Sequence, residues 1–244
     1  MPVSTDYIKL GDLVFFEEDD KCLGVSGIGT ADSVDTCHAH EPASLHISGE
    51  FSTKCVFTVH SQGTWTHLQN FKMALERQGM SMTEGMNSQE TCGAYRECQR
   101  ELERNEKDAA RQVGRDLRFG MVVELRHYSS SKHLATSRQP ATGCVGNRAI
   151  VDEHAGEGGW FRVMPRLRVH NEGEKVHSGD PIVFEEVGTG QRLLFSGALP
   201  DGTVEVISAT SATLATAPAG TTGSTSFKMR LFRSSADEGT RNLL

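Results

Sequence analysis

Short segments in which apolar and polar residues alternate run through most of the chain, and this period of two predicts β-strands with one buried face. Three of these segments contain a glycine near their start and resemble one another: residues 9–16, 118–125 and 177–184. Each segment is typical of a turn that leads into a strand. The chain therefore contains a weak internal repeat.

Each of these turns is followed by a second apolar segment that contains a phenylalanine: residues 55–59, 160–164 and 227–232. From glycine to phenylalanine the separation is 46 residues in the first unit, 41 in the second and 48 in the third. Three such units cannot bury their apolar faces alone and would close around a shared barrel. We therefore predict an all-β fold, a β-trefoil. The alternative is a β-sandwich whose short strands resemble one another by coincidence.

A segment of different character, residues 64–116, separates the first unit from the second. Trp65, Leu68, Phe71 and Leu75 recur at helical spacing, and Gly79 ends the run. Residues 89–113 are then charged nearly all round, with opposite charges three and four positions apart. We predict an inserted helical hairpin, the arm, whose charged helix is either a solvated face or a docking surface.

The repeat and the arm together predict one domain over residues 5–235. The last residues, 236–244, are polar and small and are predicted to be a linker towards a following domain. Trp160, beside Phe161 in a closing strand, is expected in the core of this domain and not on a ligand-stacking surface.

Composition narrows the possible partners of this 244-residue chain. Its formal net charge is −7, which argues against nucleic acid because phosphate binding needs a basic face. We expect no membrane insertion by this domain, because no apolar run reaches about 18 residues. The first residues lack the basic and apolar regions of a secretory signal, so the cytosol is expected.

The sequence predicts no catalytic, metal or cofactor site. Six cysteines lack CxxC spacing and are expected to be reduced thiols. Cys37, His38 and His40 offer zinc-ligand chemistry, but no second pair with suitable spacing lies nearby. Nucleophile-elbow and phosphate-loop motifs are also missing. We therefore expect a protein that is not an enzyme and has no cofactor.

Several segments resemble inositol trisphosphate receptors. The specific ones are residues 117–134, which contain a strand and a Ser-x-Lys turn, and residues 152–161, an acidic and glycine-rich stretch before Trp-Phe. Residues 172–176 and 179–180 are similar to these receptors and to the related ryanodine receptors. The resemblance extends to about residue 232 and includes the position of the arm. The chain is thus identified as a member of this superfamily, in its N-terminal domain.

The resemblance implies a regulatory (suppressor) domain of a calcium-release channel. Such a domain lowers the ligand affinity of the core that follows it and couples ligand binding to gating. The implied partners are that core and neighbouring subunits of a homotetramer, with cytosolic regulatory proteins at the arm. Inositol trisphosphate would be bound by the adjacent core and not by this fragment. The implied location is the cytosolic face of the endoplasmic reticulum or another calcium store, within a multi-pass channel.

The resemblance also implies an interface loop directly after the Trp-Phe strand. Its candidate contact residues are Arg166, Leu167, Arg168, His170 and Glu172. Animal receptors have a tyrosine where Leu167 stands, so Leu167 either fills an apolar pocket of a partner or packs on its own domain. A second candidate surface contains Ile28 and Val34.

Two further functions stay open at this point. Residues 172–176 are compatible with the ryanodine receptor branch, whereas residues 152–161 favour the inositol trisphosphate branch. A different class of answer is a stand-alone carbohydrate- or protein-binding β-trefoil of the MIR type, against which the long charged arm argues.

Overall fold

The computed structural model describes residues 6–18, 21–26, 36–40, 53–141, 146–153, 156–167, 169–196, 205–216 and 226–232. Its strands are β1 (Leu13–Glu18), β2 (Lys21–Ser26), β3 (Thr36–His40), β4 (Phe57–Ser61), β5 (Val122–His127), β6 (His133–Pro140), β7 (Asn147–Asp152), β8 (Phe161–Pro165), β9 (Pro181–Glu186), β10 (Arg192–Phe195), β11 (Val206–Ala209) and β12 (Phe227–Leu231). The helices are α1 (Thr66–Gln78), α2 (Met82–Asn87), α3 (Cys92–Gln112) and α4 (Ser211–Thr216), with short 3-10 turns at Thr53–Cys55 and Gly156–Gly159.

The three glycine-containing turns of the repeat share one geometry. Gly11, Gly120 and Gly179 have φ angles of 90°, 88° and 95°, in the region that residues with a Cβ rarely adopt. Each amide donates to a carbonyl of the closing strand of its own unit: Val59 at 2.7 Å, Val163 at 2.8 Å and Met229 at 2.7 Å. The repeat therefore corresponds to a recurring turn that ties the first strand of each unit to the last.

The strands form one antiparallel sheet that closes on itself. Within the described residues, β1, β4, β5, β8, β9 and β12 pair in that order, and β12 pairs back to β1. The hairpins β2–β3, β6–β7 and β10–β11 add further strands, with β7 paired to both β3 and β11. Closure leaves few free edges for unwanted pairing.

This pairing corrects the predicted fold class. The chain is all-β, as expected, but its fold is a closed antiparallel barrel with extra strands and not the predicted β-trefoil. The alternative of a stand-alone β-trefoil of the MIR type is removed by the same finding. The physical reason is that a period of two identifies strands, whereas strand order depends on long-range pairing that a weak repeat does not specify.

Phenylalanines from several strands fill the centre of the barrel. Phe16, Phe57, Phe161, Phe184 and Phe227 are buried there. The ring centroid of Phe184 lies 5.1 Å from that of Phe16, 6.0 Å from that of Phe161 and 6.2 Å from that of Phe227. Such aromatic pairs contribute about 0.5–1.5 kcal/mol each beyond their burial. Phe184 of β9 therefore contacts phenylalanines of three other strands in the core.

The arm contains three helices, α1 to α3, and not the two of the predicted hairpin. As the spacing predicts, Leu68, Phe71 and Leu75 of α1 are buried, and they pack with Cys98 of α3 in a second apolar cluster. Trp160 packs partly buried against this cluster and not in the barrel core, which corrects the expectation from sequence. The reason is alternation, because Phe161 points into the barrel and its neighbour Trp160 points out of it.

Side chains of α3 form hydrogen bonds with the backbone at the start of α1, where the chain passes from the barrel into the arm. The Glu101 carboxylate accepts hydrogen bonds from the amides of His67 (3.0 Å) and Leu68 (2.9 Å), in the first turn of α1. Trp65, which precedes α1, makes no capping bond with its own side chain. Asn105 accepts from the Thr64 amide at 2.9 Å and donates to its carbonyl at 2.7 Å. The start of α1 is thus capped by α3 instead of by a local residue.

Across the ranges given above, no helix combines the length and hydropathy needed to span a bilayer.

Candidate interface loop

The loop that connects β8 to β9 carries most of the predicted contact residues. Leu167 is 50% exposed and Val169 is 73% exposed, so two apolar side chains that are two positions apart on one loop lie in solvent. Arg166 is exposed beside them. Val169 was not selected from the sequence, although its apolar character between polar neighbours was the available signal. Single exposed apolar residues are common on protein surfaces, whereas a close pair on one loop is a better candidate for a contact.

Backbone hydrogen bonds hold both ends of this loop. The Arg166 amide donates to the Pro181 carbonyl at 3.1 Å, which fixes the start of the loop on β9. At the other end, the Gly173 amide donates to the Phe119 carbonyl at 2.9 Å, and the Phe119 amide donates to the Glu174 carbonyl at 2.9 Å. The loop is therefore tied to the turn that precedes β5, one of the three turns of the repeat.

His170 packs inward at the base of the loop. Its ring stacks on Phe119, with a centroid distance of 5.3 Å and an interplanar angle of 29°. Its Nδ1 lies 3.2 Å from Oε2 of Glu174, and the side-chain Nδ2 of Asn171 donates to Oε1 of the same carboxylate at 2.9 Å. The hydrogen bonds from Asn171 and then His170 lower the pKa of Glu174. His170 thus supports the loop, and the apolar pair is what the loop presents.

Glu172 is exposed and lies over the turn at Gly120. A Cβ built on Gly120 would be 3.4 Å from Cγ of Glu172. That distance is ordinary van der Waals contact, so the positive φ of Gly120 and not crowding favours glycine here. The carboxylate of Glu172 remains available to a partner.

The structure brings Arg166, Leu167, His170 and Glu172 together in one supported loop. It describes their positions, and their role as contacts stays a prediction. Arg168, Ile28 and Val34 lie outside the described residues. The arrangement offers an apolar pair flanked by opposite charges, which is the composition of a protein contact with a small apolar centre and a polar rim.

The described cysteines are free thiols: Cys22, Cys37, Cys55, Cys92 and Cys98. Burial, and then the charge of Glu17, raises the pKa of Cys22 to about 11. Burial, and then Cys22, raises the pKa of Cys55 to about 12. These two thiols are therefore poor nucleophiles near neutral pH. In the portion of the chain that is described, no three His, Cys, Asp or Glu residues are grouped as metal ligands.

Comparison with solved structures finds a similar fold in a Caenorhabditis elegans structural-genomics target, described as a protein with unknown function. The two chains are 11% identical, with a TM-score of 0.55 over 93% of this chain and 98% of that one. At this identity the likeness concerns the fold alone.

Comparison with protein families gives a match over residues 4–238 to the family described as inositol 1,4,5-trisphosphate/ryanodine receptor. This confirms the superfamily that the sequence resembles. The family belongs to intracellular calcium-release channels and consists of regulatory channel domains, not of enzymes. Because the match spans nearly the whole chain, the chain belongs to the N-terminal domain family of the inositol trisphosphate and ryanodine receptors.

Proposed function

We propose that this chain is the suppressor domain of a channel of the inositol trisphosphate branch. In this role it lowers the affinity of an adjacent ligand-binding core and couples ligand binding to gating. Residues 5–235 form the regulatory domain, and residues 236–244 lead towards the core. The channel is a homotetramer in the endoplasmic reticulum or another calcium-store membrane, with this domain on the cytosolic side.

The observation that supports this proposal is the exposed pair Leu167 and Val169 on a loop with both ends fixed. A coupling between sites typically amounts to about 1–3 kcal/mol. Full burial of one such side chain contributes about 1.5–3 kcal/mol. If a partner covers this pair in one channel state and leaves it exposed in the other, the difference in burial can account for the entire coupling free energy.

The occupant of this surface is either the following core or a neighbouring subunit. Arg166 and Glu172, on the two sides of the apolar pair, would meet a partner that carries both signs of charge. Cytosolic regulatory proteins at the arm remain a further proposed set of partners, which the charged surface of α3 suits.

Binding of radiolabelled inositol trisphosphate to the full-length channel tests this function. Deletion of residues 1–232 is expected to tighten the Kd by roughly 5- to 150-fold, the range of a typical coupling. Leu167→Asp and Val169→Asp should each reproduce part of this tightening. Met73→Asp is the matched control, because Met73 is a similarly exposed apolar residue (46%) on α1 and should leave the Kd unchanged.

Equal Kd values for the intact and deleted channels would overturn the suppressor role. Sub-micromolar binding of inositol trisphosphate by the isolated domain would also contradict it. A full-length channel that binds ryanodine and not inositol trisphosphate would assign the chain to the other branch.

A further inference from the structure

A cavity of about 660 Å³ lies between the arm and the outer face of the barrel. One wall is formed by Leu102 and Ala109 of helix α3 and by Val113, which directly follows the helix, and strands β4 and β5 form the other. Its volume lies within the range of about 300–1,000 Å³ that small-molecule sites occupy.

The buried carboxylate of Glu124 lies at the centre of the strand wall. Its Oε1 accepts three hydrogen bonds, from the Gly63 amide (2.9 Å), Trp65 Nε1 (2.7 Å) and Trp160 Nε1 (3.0 Å). A Cβ on Gly63 would lie 3.2 Å from this oxygen, so the close approach favours glycine. Both tryptophans of the chain therefore meet on one oxygen atom.

The second oxygen of Glu124 has no hydrogen-bond donor among the described residues. The nearest cationic or ring nitrogen is Nε2 of His133 at 3.9 Å, which is beyond hydrogen-bond distance. The Glu124 side chain is only 6% exposed. This oxygen is not fully buried, so water in the cavity can reach it. A charged donor supplied by a ligand in the cavity would replace that water with a stronger hydrogen bond.

The charges around the cavity favour a cationic donor over an anionic or neutral one. Glu106, Glu124 and Glu153 line it, and Arg126 is the single lysine or arginine among the described lining residues. Arg126 already donates through Nε to the Ser131 carbonyl at 2.9 Å. Burial, and then the charge of Arg126, lowers the pKa of His60, so the charged form of this imidazole is disfavoured in the cavity. A positive ligand would therefore improve the balance of charge.

We propose that this cavity binds a small organic ammonium ion. Its N–H group donates to Oε2 of Glu124, and its apolar body lies against Leu102 and Ala109 of α3 and against Val113 at the end of the helix. A hydrogen bond between two charged groups is about twice as strong as a neutral one, so Glu124 supplies both affinity and selectivity for the cation. This site is separate from the loop of Leu167 and Val169 and does not depend on the gating proposal.

Titration of the 244-residue protein with cyclohexylmethylammonium tests the site. This probe has a primary ammonium group, an apolar ring and no absorbance that overlaps tryptophan. Because Trp65 and Trp160 are the only tryptophans and both contact Glu124, intrinsic fluorescence reports occupancy directly. Calorimetry gives the Kd independently. Cyclohexylmethanol, the neutral compound of similar shape, should bind at least tenfold more weakly.

Three variants complete the test. Glu124→Gln keeps an acceptor for the tryptophans and removes the charge, so it should weaken binding of the ammonium ion at least tenfold. Ala109→Phe fills the cavity from α3 and should abolish the signal, and it serves as the independent variant if Glu124→Gln does not fold. Glu103→Gln changes an exposed carboxylate on the same helix and should bind like the wild type. Equal binding of the alcohol, unchanged binding by both Glu124→Gln and Ala109→Phe, or no binding to the wild type would each overturn the proposal.

Discussion

The interface loop and the junction between arm and barrel each hold side chains in unfavourable surroundings: the loop exposes apolar groups to water, and the junction buries carboxylates. The loop leaves Leu167 and Val169 in water, where apolar side chains are least favourable. The junction buries Glu101 and Glu124, which are least favourable away from water. At the junction, hydrogen bonds compensate for the cost of burial: Glu101 accepts two from backbone amides, and Glu124 accepts three from N–H groups. The exposed side chains of the loop have no such compensation within the described residues. The difference teaches that the junction contributes to the stability of this domain, whereas the loop remains available to something outside it.

Glu101→Ala should have the largest effect on this comparison. The change removes the acceptor of the His67 and Leu68 amides and leaves donors at the start of α1 without a partner. We expect the free energy of unfolding to fall by about 2–4 kcal/mol, measured by urea denaturation. Glu103→Ala, at an exposed position of the same helix, should change it by less than about 0.5 kcal/mol. Similar losses in the two variants would show that the junction does not carry the stability assigned to it.

Glu124→Gln should have a smaller effect that depends on pH. Burial raises the pKa of Glu124, and the hydrogen bonds from Gly63, Trp65 and Trp160 offset this only in part. A raised folded-state pKa contributes stability that is present below the unfolded pKa and is lost as pH rises through the folded value. Glutamine does not ionise, so the stability of the variant relative to the wild type should improve as pH increases from about 4 to 7.

Thermal unfolding of both proteins in the same buffers measures this difference. The subtraction removes the pH dependence that the two proteins share. Glu103→Gln should give a difference that is flat with pH. If the stability of Glu124→Gln relative to the wild type instead fell with rising pH, the three hydrogen bonds would lower the pKa of Glu124 by more than burial raises it.

Leu167→Asp should have the smallest effect on the isolated domain. The side chain is half exposed, so its replacement should change the free energy of unfolding by less than about 0.5 kcal/mol in urea denaturation. Val169→Asp, at the more exposed position, should behave in the same way. A loss above about 1 kcal/mol at Leu167 would mean that it packs on its own domain, and the contrast between loop and junction would fail.

The sequence was sufficient to predict individual strands and helices, but not the pairing of strands that are far apart in the chain. Alternation identified the strands that contain Phe57, Phe161 and Phe227, and helical spacing identified the buried face of α1. The order in which the strands close the barrel depends on contacts between remote segments, and the trefoil prediction failed there. Secondary structure is a local property of the pattern, whereas closure is a property of the whole chain.

The two sites differ in the same way. The interface loop could be predicted because the family resemblance places it directly after a recognisable strand, and its residues are consecutive; their role as contacts stays a prediction. The Glu124 site was missed because Gly63, Trp65, Glu124 and Trp160 come from separate segments that meet only in the folded chain. The available signal was a glutamate on the polar face of β5, which the sequence alone does not distinguish from a solvated residue.

Helix α3 has a mechanical consequence for the arm. Its 21 residues span about 32 Å at 1.5 Å per residue. At its end, Val113 lies so close to the first turn of the barrel that a Cβ on Gly11 would be 2.9 Å from Val113 Cγ1. A tilt of about 10° about this point would move the far end of α3 by about 5.5 Å, given the helix length. In any tilt about this contact, the far end of α3 therefore moves much farther than the end beside the barrel.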